Sequence, residues 1–134
     1  MAHDHEIYMI LADTAMELRD IDSIHKYASA LETLASRDNH RLYLAIAQRA
    51  IGVGHRLARE HEEAQDHLRQ ALGLFTRVGA RWQIGRTLFE LGENHLAQSH
   101  EKAREYYSQA LGAFEEMQAA PNAERTRAVL NSLR

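Results

Sequence analysis

The chain has 134 residues, 45% hydrophobic and 26% charged, a size and mixture that suit one soluble domain with a continuous core. Its formal net charge of −3 lacks the Lys and Arg excess of a phosphate-tracking surface, so direct nucleic-acid binding is not expected. The absence of cysteine removes disulfides, thiolate chemistry and cysteine-ligated zinc, and fits a reducing cytoplasm. The start, Met1-Ala2-His3-Asp4-His5-Glu6, has neither the basic residues nor the apolar run of a secretory signal. No segment approaches the roughly 20 apolar residues of a membrane span. A cytoplasmic protein without membrane contact is expected.

Apolar residues recur at intervals of three and four almost throughout, and strand-like alternation is missing. In chain order the pattern predicts helices over Asp4–Leu18, Ile21–Ser36, His40–Arg59, Glu62–Val78, Arg81–Gln98, Glu101–Gln118 and Asn122–Leu133. Asp20 or Asp22 caps the second, Asp38-Asn39 punctuates the turn after it, and Ser99 caps the sixth. The single proline, Pro121, suits the first turn of the last helix, where its missing N–H costs nothing. Consecutive helices joined by such short turns lie antiparallel, which gives three helical hairpins and one further helix. No Ser- or Gly-rich linker interrupts them, so residues 1–134 are expected to form a single domain.

Part of this pattern is written twice. Ile51-Gly52 with His55 recurs as Leu91-Gly92 with His95, 40 positions on, and Ala71-Leu72 with Phe75 recurs as Ala110-Leu111 with Phe114, 39 positions on. A fixed period of this length marks a stacked helical array, whose function lies on an extended surface. Glycine inside a helix costs about 1 kcal/mol relative to alanine, so Gly52 and Gly92 require a reason. Close contact with the second helix of each hairpin supplies it.

These segments resemble tetratricopeptide repeats, in which the first helix carries a large residue, Leu-Gly and an aromatic, and the second carries Ala, a large residue and Ala. Leu88, Leu91-Gly92, His95, Ala103, Tyr107 and Ala110 match in the third unit; Ile51-Gly52, His55, Ala64, Leu68 and Ala71 match in the second. The first unit is degenerate, with Leu11-Ala12, Ala15, Ile24, Ala28 and Leu31. The resemblance implies an all-α right-handed superhelix of three antiparallel hairpins, at residues 4–38, 40–79 and 80–119, with a capping helix over 121–134. Three departures stand out: a period longer than the usual value of about 34, histidine where the family prefers an aromatic, and Val78-Gly79-Ala80 in place of a repeat-ending proline. Lengthened units of this kind are similar to those of bacterial ATP-dependent transcriptional activators and adenylate-cyclase-type signalling proteins.

Nine histidines raise the question of metal. Two ligands on one helix sit three or four residues apart, whereas His61 and His67 differ by six and His95 and His100 by five. Gln65 occupies the place of the second histidine of a zinc-protease motif after His61-Glu62. No metal or cofactor is therefore expected, beyond adventitious chelation by His3 and His5. His55 and His95 read either as a pH-sensitive pair or as interior replacements for an aromatic, each with its polar edge toward a turn. A phosphate loop, a nucleophile elbow and a paired-carboxylate pocket are missing, and no enzyme is expected. The acidic pairs Glu62-Glu63 and Glu115-Glu116 read as solvated faces, and Tyr106-Tyr107 and Trp82 as core.

In tetratricopeptide repeats a groove is lined by residues three before, one after and four after the small residue of the Leu-Gly pair. The resemblance thus selects Met9, Asp13 and Met16, then Arg49, Val53 and Arg56, then Phe89, Glu93 and Leu96. Met and Phe supply adaptable apolar area and Arg forks onto carboxylates, as a peptide-binding groove requires. The alternative is that Phe89 and Leu96 pack against Val53 and the last helix, leaving an ordinary solvated face. The expected function is protein binding by an interaction or regulatory scaffold module within a larger bacterial signalling protein, with a transcription-regulatory setting implied by the resemblance. Rival readings are a sensor of a small ligand or peptide, and a homo-oligomerisation module that associates through exposed array ends.

Overall fold

The computed structural model describes residues 2–133, with side chains from Asp4 onward. Its helices are α1 (Ala2–Glu17), α2 (Ile21–Arg37), α3 (Arg41–Leu57), α4 (His61–Val78), α5 (Arg81–His95), α6 (His100–Glu116) and α7 (Ala120–Ser132), and no strand occurs among the described residues. Every helix end falls within three residues of the position that the periodicity predicts. No described helix is long and apolar enough to cross a membrane.

Local chemistry sets these ends. Asp20 accepts from the Ser23 N–H at 3.2 Å and the Ser23 hydroxyl at 2.8 Å, and both bonds hold its carboxyl below the usual range. Ser99 caps α6 through the Lys102 N–H at 3.2 Å. Five of the turns share a second device, a residue in the left-handed region just past the helix: Arg19, Asn39, Arg59, Gly79 and Gln118 all have positive φ. Each such turn closes with paired backbone bonds to the preceding helix, as where Glu60 N–H reaches His55 O at 2.8 Å and Arg59 N–H reaches Arg56 O at 2.9 Å. The turn from α5 to α6 differs, since Gln98 and Ser99 both donate to His95 O and no positive φ is used.

The chain divides into two compact units, Met1–Leu74 and Phe75–Arg134. In the first, α1 packs on α2, α2 on α3, and α1 lies beside α3. Ile24, Ala28, Leu31 and Ala35 form one buried face of α2 at three- and four-residue spacing. Ala12, Ala28, Ala50 and Ile51 join three helices in one cluster, with Met16 and Tyr27 against its edge. Small residues at this crossing let backbones approach. A Cβ on Gly52 would lie 2.8 Å from Leu68 Cγ and 3.2 Å from Ala64 O, which is why that position excludes any side chain.

The second unit repeats the device with aromatic partners. Here α5 packs on α6 and α6 on α7. A Cβ on Gly92 would stand 2.9 Å from the Tyr107 ring, and one on Gly85 would stand 2.7 Å from Phe114 Cε1. Tyr107 and Phe114 are thereby fully buried, each contributing about 1.5–3 kcal/mol by leaving water. Ala123, Thr126 and Leu133 of the last segment are buried too, and Arg104 donates to Leu133 O at 2.7 Å. The last helix thus covers one side of α6, as the capping helix that the resemblance implies would do.

The sequence reading is corrected at Trp82. It is 39% exposed, with the Arg86 guanidinium 5.0 Å from its ring centroid. Trp82 stands in the first turn of α5, seven residues before the buried Phe89 and one turn before Arg86, so it shares their side of the helix but lies at its exposed end. Tyr106 also lies outside the deep core, half-buried and stacked on His95 at 5.3 Å.

Candidate binding surface

The nine residues selected for a groove occupy the first helix of each hairpin. Met9, Asp13 and Met16 lie on α1; Arg49, Val53 and Arg56 on α3; Phe89, Glu93 and Leu96 at or just beyond α5. Since α1 and α3 are neighbours, the first unit brings six of these positions onto adjacent helices. Arg49, Val53 and Phe89 are buried, and the other six are half-buried. The charge of Arg49 is therefore part of the packed interior, and Arg56 is the more accessible cation of the pair. Asp13 Oδ1 is buried without a hydrogen-bond donor among the described residues.

In the second unit Phe89 anchors a small polar cavity of about 70 Å³, with Arg86, Phe114, Asn122 and Arg125 among its walls. The Arg125 guanidinium sits 4.6 Å from the Phe89 ring centroid, and Tyr107 meets the same ring edge-on at 5.2 Å. Phe89 thus packs against the last helix as the second of the two sequence readings has it. Sequence reasoning missed Arg86 and Arg125 as wall residues. The spacing of Arg86 to Phe89 was a usable signal, but Arg125 comes from a helix outside the repeat and only packing brings it there.

The repeated histidines sit at the hairpin mouths. His55 Nδ1 lies 3.0 Å from Glu60 Oε1 in the following turn, and its ring stacks on His67 at 5.3 Å and 12°. His95 stacks on Tyr106 in the equivalent place. Both therefore occupy the aromatic position of the repeat. Gln48 links this layer to α2: its Nε2 donates to Glu32, leaving Oε1 to accept, so His67 Nδ1 is the donor across 2.7 Å. Burial, and after it the neighbouring His55, pushes the His67 imidazole below the usual histidine range.

With helical hairpins, small residues at the crossings and a mixed inner row in place, comparison with known proteins is decisive for family. The tetratricopeptide repeat profile matches residues 43–116. The chain belongs to the tetratricopeptide repeat family. No curated protein matches it significantly. Among solved structures it is similar to aspartyl phosphate phosphatase F from Bacillus subtilis, with a TM-score of 0.86 and 19% identity over 98% of this chain and 35% of that one. It is also similar to the apo form of RapI, with a TM-score of 0.79 and 15% identity over 98% of this chain and 48% of that one. The chain spans about a third and about half of their lengths, and likeness at this identity concerns the fold alone. Tetratricopeptide repeats build protein-interaction modules, which present extended surfaces.

Proposed function

We propose that this module captures a peptide segment of a partner protein along the first helices of its hairpins, as a regulatory scaffold within a bacterial signalling system. The observation that carries this reading is the half-buried row of Met9, Asp13, Met16 and Arg56 on the neighbouring helices α1 and α3. Thioether groups supply adaptable apolar area, and the guanidinium selects a carboxylate-bearing partner. In the second unit, taken by itself, Glu93 and Leu96 are the half-buried positions that the same rule selects. Binding rather than catalysis is proposed because tetratricopeptide arrays act through extended surfaces.

The test is fluorescence anisotropy against a library of peptides that place Asp or Glu beside aromatic and aliphatic residues. A hit should weaken by more than about tenfold in Arg56→Glu, with helicity and melting temperature unchanged. Equal affinity for the variant and the parent, or no binder at all, would overturn the reading. A second reading, self-association, has its own observation: Ile7, Ile10, Leu18 and Ile21 are exposed at 51%, 52%, 73% and 39%. A concentration series by light scattering separates it from a monomeric adaptor.

A further inference from the structure

We propose that the mouth of the second hairpin is a binding site for a divalent transition-metal ion, with His55, Glu60 and Glu63 as its protein ligands. One potential ligand atom from each of the three lies within 4.8 Å of the others. His55 belongs to the last turn of α3, Glu60 immediately precedes α4, and Glu63 is in the first turn of α4. The spacing rules for histidine pairs on one helix do not describe this set, because its members come from a helix end, a turn and the next helix.

The backbone that presents the ligands is fixed before any ion arrives. Glu60 N–H binds His55 O at 2.8 Å, and Arg59 adopts a φ of 64° to close the turn. The His55 ring is held flat against His67, which limits its rotation. With bonds of about 2.1 Å, two adjacent ligand atoms stand about 3.0 Å apart in an octahedral shell and about 3.4 Å apart in a tetrahedral one. His55 Nδ1 and Glu60 Oε1 already stand 3.0 Å apart. Glu63 is exposed, so a change of rotamer brings its carboxylate in without moving the fold.

Chemistry narrows the ion. An imidazole nitrogen with two carboxylates suits zinc, cobalt or nickel, whereas magnesium and calcium favour oxygen alone. The two carboxylates match the charge of a divalent ion. A cavity of about 170 Å³, whose walls include Asp22, His25, His55 and Glu60, adjoins the first two ligands and leaves room for coordinated water. An ion held there bridges the end of α3 to the start of α4 and tightens the turn between them.

Isothermal titration of the chelator-treated full chain with zinc chloride tests this. One zinc per chain is expected, with affinity reduced more than about tenfold in the Glu60→Gln, Glu63→Gln double variant and kept in the His3→Ala, His5→Ala variant. Both glutamates are exposed, and a circular-dichroism melt without metal should be the same for the double variant and the parent. Zinc should raise the melting temperature of the parent alone. Cobalt should give visible absorption bands that the double variant loses. No zinc uptake, unchanged affinity in the double variant, or uptake abolished by removing His3 and His5 would each overturn the site.

Discussion

At the scale of single residues, the glycines separate by what surrounds them. Gly85 and Gly92 face aromatic rings at under 3 Å, so any side chain displaces Phe114 or Tyr107. Gly73 and Gly112 also lie within helices, but a Cβ there meets nothing within 4 Å. Opposite outcomes follow. Gly92→Leu should destabilise the protein by roughly 1–3 kcal/mol or more through overpacking, whereas Gly73→Ala should stabilise it by roughly 0.5–1 kcal/mol through helix propensity. Thermal melts of the two variants check this, and an unchanged midpoint for Gly92→Leu would contradict the crossing. The repeat of Gly52 at Gly92 was legible in the sequence. Gly85 was not, since its counterpart one period earlier is Ala45 and nothing in the pattern sets it apart.

At the scale of elements, the turns reuse one backbone device with unequal chemistry. Gly79 adopts its φ of 69° without strain, while Arg19, Arg59 and Gln118 hold side chains in a region that costs L-residues roughly 1–2 kcal/mol. The paired bonds of each turn keep them there. Gly79→Ala should therefore destabilise by about 1 kcal/mol although open space surrounds it, and Gln118→Gly should raise stability by up to about 1 kcal/mol. Chemical denaturation of the two variants measures both signs. Asp38-Asn39 signalled one of these turns in the sequence, because asparagine tolerates the left-handed region. Arginine and glutamine carry no such signal, so the turn at Arg19 is marked only by the Asp20 or Asp22 cap, the turn at Gln118 only by Pro121, and the turn at Arg59 by helix periodicity alone.

At the scale of the molecule, the second unit depends on its last helix. Ala123, Thr126 and Leu133 are buried, and Arg127 pairs with Glu115 at 2.9 Å on the rim. The exposed ion pair adds little, at about 0–1 kcal/mol, so the apolar contact sets the docking energy. Removing residues 121–134 should bare the side of α6 that carries Phe114, lower the melting temperature and produce concentration-dependent association. Scanning calorimetry with sedimentation measures both, and a truncated protein that stays monomeric and melts at the original temperature would show the helix to be no cap.

The one-dimensional pattern determined the helices, the hairpin pairing and the family, because period, capping residues and small-residue positions are local or repeated at a fixed interval. Ala64, Leu68 and Ala71, read as core from spacing, are each fully buried. Tertiary structure alone decided how deep the inner row lies. Arg49 and Phe89 stand in register with Arg56 and Leu96, yet they are buried while the latter are half-buried, since depth depends on which neighbours close over a position. The same holds for the ligands at the hairpin mouth. Glu60 and Glu63 stand three residues apart at the start of α4, but His55 belongs to the preceding helix, and only the folded turn, which reverses the chain between α3 and α4, sets all three side chains within reach of one ion.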